Sequence, residues 1–206
     1  MKPTQAQQRA INSDSKNILL VAGAGSGKTA TVVQRISRLL KDGVRPSSIL
    51  CLTFTRTAAL ELKERIAKNA GESATRKMWV GTFHSISYRM LMQWGKAIGY
   101  QTHGKAITVV TPAESEMLLK EIAKSYDYKK PFVRITEAKA TLAHDGIWPE
   151  CLDLKRIVQE YQSRLKECNA VDFDSLLLEV QKLFEACPDA LEYYQKKFDH
   201  VFVDEY

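Results

Sequence analysis

A glycine-rich segment that ends in a lysine and a threonine carries the clearest chemistry in this chain. The segment Gly23-Ala24-Gly25-Ser26-Gly27-Lys28-Thr29 follows an apolar stretch and precedes a helical pattern from Ala30 to Leu40. Glycines let successive backbone amides point at phosphate oxygens, and the positive end of the following helix attracts the same anion. The spacing therefore predicts a nucleotide phosphate loop between a buried strand over Asn17 to Ala22 and a helix.

Two side chains of this loop have predicted roles of their own. The Lys28 ammonium is placed to contact the β and γ phosphates, and the Thr29 hydroxyl is placed to ligate Mg²⁺. An ordinary strand-to-helix turn with a chance Lys-Thr pair is the alternative, but the strand and helix on either side favour the nucleotide site. The residues expected to line the nucleotide are Ala22, Gly23, Ala24, Gly25, Ser26, Gly27, Lys28, Thr29 and Ala30.

Two adjacent acids at the end of the chain form the second candidate site. Asp204 and Glu205 follow the apolar run from Val201 to Val203. Paired acids are usually solvated surface charges, but these lie at the carboxyl end of a predicted buried strand, where α/β sheets bind ligands. We expect Asp204 to hold Mg²⁺ and Glu205 to act as the general base that polarises the attacking water.

A glutamine in a short predicted helix before the first strand is the third candidate. A glutamine amide can donate to N7 and accept from N6 of adenine, so Gln7 or Gln8 could select ATP over GTP. Taken alone, either residue is better explained as a solvent-facing helix position.

Short apolar strands alternate with helices over the first eighty residues, and this pattern predicts an α/β fold with a parallel sheet flanked by helices. Amphipathic helices replace the alternation from about Ser87 to Asn169. We therefore predict a discontinuous sheet domain over 1–87 and 170–206, with an all-helical insertion over 88–169.

Composition narrows the class of protein further. The formal net charge of +6 favours a polyanionic partner without requiring one. The four cysteines are scattered without zinc-ligand spacing, which predicts reduced thiols. Because we find neither a signal peptide nor a membrane-length apolar run, we expect a protein without a membrane partner, working in the cytoplasm.

Six ordered motifs resemble the N-terminal part of UvrD/Rep-type superfamily 1 DNA helicases, and the resemblance covers essentially the whole chain. In order they are Thr4 to Ile11, similar to the adenine-reading Q motif with Gln7 in register; Ala22 to Thr29, similar to motif I; Leu52 to Ala59, similar to motif Ia; Val80 to Ser85, similar to motif Ib; Val171 to Leu177, similar to the segment that re-enters the core; and Val203 to Tyr206, similar to the start of motif II.

The resemblance implies a P-loop NTPase of RecA-like fold that uses ATP and Mg²⁺, with Lys28 and Glu205 as catalytic residues and Gln7 at the adenine. It implies a DNA helicase or single-stranded DNA translocase, with 3′ to 5′ polarity by analogy, in a process such as DNA repair. One departure concerns motif Ia, where Arg56 and Thr57 replace the usual Asn and Lys.

Strand-end residues of motifs Ia and Ib are the expected DNA contacts, because hydroxyls can bind phosphates and aromatic rings can stack on bases. Without the resemblance, core packing explains the two phenylalanines better, and a satisfied strand-end histidine explains the third ring. The candidate DNA-binding residues are Thr53, Phe54, Thr55, Arg56, Thr82, Phe83 and His84.

The later helicase motifs do not occur in these 206 residues. We therefore expect the chain to bind nucleotide better than it hydrolyses it, since an arginine finger would come from a second RecA-like domain. We also expect Ile18 to Ala22 to present an unpaired apolar edge. The expected partners are single-stranded DNA, duplex junctions, and either the C-terminal helicase domains or a protein that covers this edge. The alternatives are a kinase or nucleotide switch, and a remnant that binds nucleotide without turnover.

Overall fold

The computed structural model describes residues 3–23, 25–126 and 152–204. The predicted α/β class is confirmed. The helices and strands, in chain order, are α1 (Gln5–Asn12), α2 (Lys28–Lys41), β1 (Ile49–Thr53), α3 (Arg56–Ala70), α4 (Glu72–Lys77), β2 (Trp79–Thr82), α5 (Phe83–Trp94), β3 (Thr108–Val110), α6 (Pro112–Ser125), α7 (Leu152–Glu167), β4 (Ala170–Asp172), α8 (Ser175–Ala186), α9 (Pro188–Lys197) and β5 (His200–Val203). Short 3₁₀ turns span Pro46–Ser48 and Gly95–Ile98.

The chain divides into two compact units, Met1–Ile86 with Leu191–Tyr206, and Ser87–Ala190. Strand β4 and helix α8 belong to the second unit, where β4 pairs with β3 and α8 packs against β4. The assignment of 1–87 and 170–206 to one sheet domain, with 88–169 as its insertion, stays a prediction.

A parallel three-stranded sheet organises the first unit, with β1 between β2 and β5. Helices α2 and α3 pack on it and bury an aliphatic core in which Ile36, Leu62 and Ile66 are fully enclosed. The alternation of strand and helix therefore places the carboxyl ends of all three strands along one edge of the sheet.

The segment before the phosphate loop differs from its prediction. Asn17 to Ala22 forms no strand, and Leu19 and Val21 are 77% and 86% exposed. Leu20 alone packs against the core of the first unit. A strand needs a neighbour for its main-chain groups, and no described residue pairs with this segment. Apolar sequence was therefore not sufficient to make a strand here.

The last strand, β5, forms where it was predicted, but only one face is covered. Val201 and Val203 are 56% and 38% exposed, whereas Asp204 directly after them is 8% exposed. β5 pairs with β1 along one side, and no described strand pairs along the other. The expectation of a fully buried strand is thus wrong for the outward-facing valines.

The second unit is mainly helical around a core that includes Ile122, Ile157 and Tyr161. It also contains a small parallel sheet in which Thr108 pairs with Ala170 and Val110 with Asp172. The prediction of an all-helical insertion misses these strands, because three residues are too few to display alternation. Predictions over 127–151 fall outside the described residues.

A charged network centred on Glu179 of α8 stabilises the second unit. The Glu179 carboxylate is 8% exposed and accepts from the Tyr100 hydroxyl at 3.1 Å, Lys166 at 3.1 Å and Lys182 at 2.8 Å. Burial raises the pKa of Glu179, but the bonds and charges of the two lysines outweigh burial and hold the pKa below its ordinary value. The carboxylate therefore stays ionised in the folded protein.

None of the described helices is both long and apolar enough to cross a lipid bilayer.

Candidate functional site

The glycine-rich loop forms a turn directly in front of α2. Gly25 and Gly27 have positive φ angles of 72° and 86°, a conformation that disfavours side chains. A β-carbon on Gly27 would also lie 3.0 Å from the Gln7 amide nitrogen. The Ser26 hydroxyl closes the turn by donating to the Gly23 carbonyl at 2.7 Å. Glycine at position 27 thus lets α2 begin at Lys28 with its positive end at the loop.

The Lys28 ammonium is folded back over this loop. Nζ donates to the Ala22 carbonyl at 2.8 Å and to the Gly23 carbonyl at 3.0 Å. Both acceptors are neutral, so an anionic phosphate oxygen would be a stronger partner for the ammonium. Lys28 is therefore held at the loop in a position from which it can transfer to a phosphate.

The loop and the end of β5 meet through one hydrogen bond. The Thr29 hydroxyl donates to Oδ2 of Asp204 at 3.0 Å, although the two residues are 175 positions apart in sequence. The Asp204 amide donates to the Leu52 carbonyl at 2.9 Å, which ties the carboxylate to β1. The structure thus brings together the two residues that the sequence predicted to hold a metal.

These two oxygens suit a hard cation such as Mg²⁺. Hydroxyl and carboxylate oxygens are hard ligands, and Mg²⁺ is usually held by one or two protein oxygens together with water and phosphate oxygens. Among the described residues there is no group of three or more His, Cys, Asp or Glu side chains that could form a closed metal site. Thr29 and Asp204 therefore suit a metal that arrives with a nucleotide.

Burial and the Asp204 charge also act on a neighbouring thiol. Cys51 lies in the middle of β1 and is fully buried. Burial, helped by the nearby Asp204 charge, raises the pKa of Cys51 to about 12. Cys51 is therefore a neutral core thiol beside the site and takes no part in its chemistry.

Gln7 lies against the phosphate loop. Its Oε1 accepts from the Thr4 amide at 2.7 Å in a capping box at the start of α1, and its Nε2 donates to the Ser26 carbonyl at 2.9 Å. Each amide atom keeps one further bonding position, a hydrogen on Nε2 and a lone pair on Oε1. Gln7 can therefore contact a base without releasing the loop.

The ends of β1 and β2 form a second group of candidate residues on the same edge of the sheet. Thr53 is paired with Thr82 in register. Both side chains are buried, and both hydroxyls are engaged locally: Thr53 donates to the Thr55 carbonyl at 3.0 Å, and Thr82 accepts from the Ser85 amide at 3.1 Å. These two threonines shape the turns that follow the strands.

The residues after the two threonines are more accessible. Phe54 is 72% exposed, and Phe83 and His84 are half-buried at the start of α5. Thr55 caps α3 by accepting from the Ala58 amide at 3.1 Å, and exposed Arg56 begins that helix. The exposure of Phe54 excludes the core-packing explanation for this residue.

Two predicted site residues, Ala24 and Glu205, lie outside the described residues. Ala30 is exposed on the first turn of α2. Sequence reasoning missed Arg35, which lies two helical turns after Lys28 and bonds the main chain at the end of α1. Its position on the face of α2 that carries Lys28 was the available signal.

Comparison with known proteins gives a consistent result. The UvrD/REP helicase N-terminal domain family matches residues 3–206. The chain is 34% identical to the ATP-dependent DNA helicase PcrA of Leuconostoc citreum, and 35% identical to the proteins of that name from Staphylococcus aureus strain Mu50 and Staphylococcus epidermidis. Each alignment covers 97% of this chain. It covers only 28% of the first relative and 29% of the other two.

Proposed function

Since the chain belongs to the UvrD/REP helicase N-terminal domain family, we propose that it is the ATP-binding portion of a DNA helicase or single-stranded DNA translocase. The observation that carries this proposal is the 3.0 Å contact between Thr29 and Asp204. It joins the phosphate loop to the strand-end carboxylate, which are the two halves of a site for a nucleotide and its metal ion.

In the proposed site each side chain exchanges a partner within the protein for one on the ligand. Lys28, now bonded to two main-chain carbonyls, would contact the β and γ phosphates, and Thr29 and Asp204 would hold Mg²⁺. Backbone amides at the start of α2 would face the phosphates at the positive end of that helix. When bound, Mg²⁺ neutralises charge that develops on the phosphate oxygens.

Catalysis and base selection are assigned to two further residues. Glu205 is proposed as the general base for the attacking water, because it directly follows Asp204. Gln7 is proposed to read adenine through the two bonding positions that the capping box and Ser26 leave open. Guanine presents an acceptor where adenine presents the N6 donor, so the same amide cannot serve both bases equally.

Single-stranded DNA is proposed to lie across the ends of β1 and β2. Phe54 and Phe83 would stack on bases, Thr55, Arg56 and His84 would meet the backbone, and Thr53 and Thr82 would hold the turns in place. The position of Asp204 supports coupling between ATP binding and DNA binding, since its amide donates to the Leu52 carbonyl, two residues before Phe54. This bond links the strand end that would hold Mg²⁺ to the turn proposed to contact DNA.

The exposed apolar surface of the first unit and the greater length of the relatives indicate the remaining partner. Leu19 and Val21 are exposed on main chain that has no strand partner among the described residues, and Val201 and Val203 are exposed on β5, whose outer side no described strand pairs with. We propose that the rest of a longer helicase, whose relatives are more than three times this length, covers them. That remainder would supply the arginine that accelerates hydrolysis, and the polarity is proposed as 3′ to 5′.

ATP hydrolysis with and without single-stranded DNA tests the proposal. We expect DNA-stimulated turnover by the full-length protein, loss of turnover in Lys28→Ala and Glu205→Gln, and little turnover by the 206-residue chain. Asp199→Asn serves as the control, because this exposed acid pairs with Arg45 outside the site. Turnover without DNA stimulation would favour a different P-loop enzyme, and ATP binding without turnover in the full-length protein would favour a binding remnant.

A further inference from the structure

Two arginines of α2 bond the C-terminal end of α1. One nitrogen of Arg35, Nη1, donates to the carbonyls of Ala10 at 2.8 Å, Ile11 at 3.2 Å and Ser13 at 2.7 Å. Arg38, one turn later on α2, donates from Nη1 to the Asn12 carbonyl at 3.3 Å. Four consecutive carbonyls at the end of α1 are thus bonded by guanidinium groups of another helix.

This contact matters because α1 is short. It has eight residues, and the last four carbonyls of any helix lack partners within the helix. A helix of this length is unstable in isolation. Positive charge at the C-terminal end of α1 also interacts favourably with the negative end of the helix dipole. The carbonyl bonds from Arg35 therefore hold α1 folded and fixed to α2.

The other end of α1 carries Gln7, and the other end of α2 carries the phosphate loop. Lys28 and Arg35 are seven residues apart, so they lie two turns apart on one face of the same helix. α1 is consequently held at both ends: by Arg35 at its C-terminus, and by the 2.9 Å bond from Gln7 to Ser26 near its N-terminus. The distance between the Gln7 amide and the phosphate loop depends on both attachments.

We propose that Arg35 is a positioning residue for base recognition: by fixing α1 to α2, it holds the Gln7 amide where it can read the base of a nucleotide bound at the loop. This inference rests on the proposed role of Gln7 in reading adenine. Among the described residues Arg35 hydrogen-bonds main-chain carbonyls, and it is not a catalytic residue.

Arginine suits this position better than lysine. A guanidinium nitrogen reaches several carbonyls in a fixed planar arrangement, whereas an ammonium is a single flexible point of attachment. Arg35 is half-buried, and burial together with the neighbouring Arg38 charge lowers its pKa without removing its charge. Arg35→Lys therefore keeps the charge and shortens the reach, which makes it a mild and specific test.

The experiment measures the dissociation constants of ATP and GTP, each with Mg²⁺, for the 206-residue chain. The variants are Arg35→Lys, Gln7→Ala and the double variant. Arg45→Lys is the control, since Arg45 is an exposed arginine that pairs with Asp199. We expect Arg35→Lys to weaken ATP binding about 3- to 10-fold, which is the range for one lost hydrogen bond, and to leave GTP binding unchanged. The control should change neither constant.

Two readouts separate positioning from general stability. In the Gln7→Ala background, Arg35→Lys should cause no further loss of ATP affinity, because the group it positions is absent. Hydrogen exchange of the amides of residues 8–12 should accelerate in Arg35→Lys, while exchange in the middle of α2 stays slow. Equal losses of ATP and GTP affinity, or additive losses with Gln7→Ala, would overturn the proposal.

The outcomes also distinguish this proposal from the one on which it rests. If Gln7→Ala reduces the preference for ATP over GTP and Arg35→Lys does not, only the positioning role is wrong. If Gln7→Ala leaves the preference unchanged, the adenine-reading role is wrong, and base positioning by Arg35 falls with it. ATP binding through Lys28 is untouched by that second outcome.

Discussion

Replacing Asp204 with asparagine should make the protein more stable and weaken its binding of Mg·ATP. Asp204 is 8% exposed, and among the described residues its carboxylate has the Thr29 hydroxyl as its hydrogen-bond partner and no cation. Asparagine has nearly the same shape, and its carbonyl can still accept from Thr29. The substitution Asp204→Asn therefore removes a buried charge while it keeps the contact.

The two effects have opposite signs and separate causes. Burial of an unpaired carboxylate is costly, and we expect its removal to raise the free energy of unfolding by about 1 kcal/mol after a weaker Thr29 bond is deducted. That corresponds to about 2–4 °C in melting temperature for a chain of this size. A carboxylate about 4 Å from a divalent cation interacts by several kcal/mol even at a high effective dielectric constant. We expect affinity for Mg·ATP to fall by at least about 10-fold.

Thermal melting without nucleotide measures the first effect, and calorimetric titration with ATP in Mg²⁺ or in EDTA measures the second. Affinity should depend strongly on Mg²⁺ in the wild type and weakly in Asp204→Asn. The control is Asp199→Asn, at an exposed acid just before β5, which should change the free energy of unfolding by less than about 0.5 kcal/mol. A less stable Asp204→Asn protein would refute the claim that burial of this charge is costly. Undiminished Mg²⁺ dependence would refute the assignment of this carboxylate to the metal.

Three further predictions concern residues around the site and in the second unit. Phe54→Ala should weaken single-stranded DNA binding by the full-length protein, measured by fluorescence anisotropy, by about 1–3 kcal/mol without loss of stability; equal weakening by Leu60→Ala, an exposed apolar control, would contradict it. In site-resolved alkylation at pH 8, exposed Cys168 should react quickly and Cys51 only on unfolding. Because the folded pKa of Cys51 is raised to about 12, its contribution to stability is complete below pH 9 and is lost between about pH 9 and 12. Glu179→Gln should lower the free energy of urea unfolding by about 1–2 kcal/mol at pH 7. Because the folded pKa of Glu179 is lowered, this difference should shrink as the pH falls below the ordinary value of 4.5, and a constant difference would refute the ion network.

Local chemistry made the phosphate loop and its helix predictable from sequence. Glycines at 25 and 27 permit the positive φ angles, and α2 begins at Lys28 as the motif requires. The strands β1 and β2 were predictable because short apolar runs alternate with helical patterns. The proximity of Thr29 and Asp204 was expected from the rule that parallel strands present their carboxyl ends at the same edge. In the structure the segment before the loop forms no strand, and Thr29 reaches Asp204 from the first turn of α2.

Features that depend on distant neighbours were less predictable. Asn17 to Ala22 has the composition of a strand but lacks a partner for its main chain among the described residues. The pairing of β3 with β4 joins segments about sixty residues apart and places β4 in the second unit. The bonds from Arg35 to the end of α1 were missed because a long basic side chain in a helix gives no sign of which main chain it reaches.

The most direct test of the account is whether the 206-residue chain binds Mg·ATP through Lys28. Calorimetric titration should be run on the wild type and on Lys28→Ala, with circular dichroism to show that both are folded. We predict saturable, Mg²⁺-dependent binding by the wild type and at least about 10-fold weaker binding by Lys28→Ala, since the ammonium would contribute charged hydrogen bonds to the phosphates. Equal affinity of the two folded proteins, or no binding by the wild type, would contradict the claim that this loop is a nucleotide site.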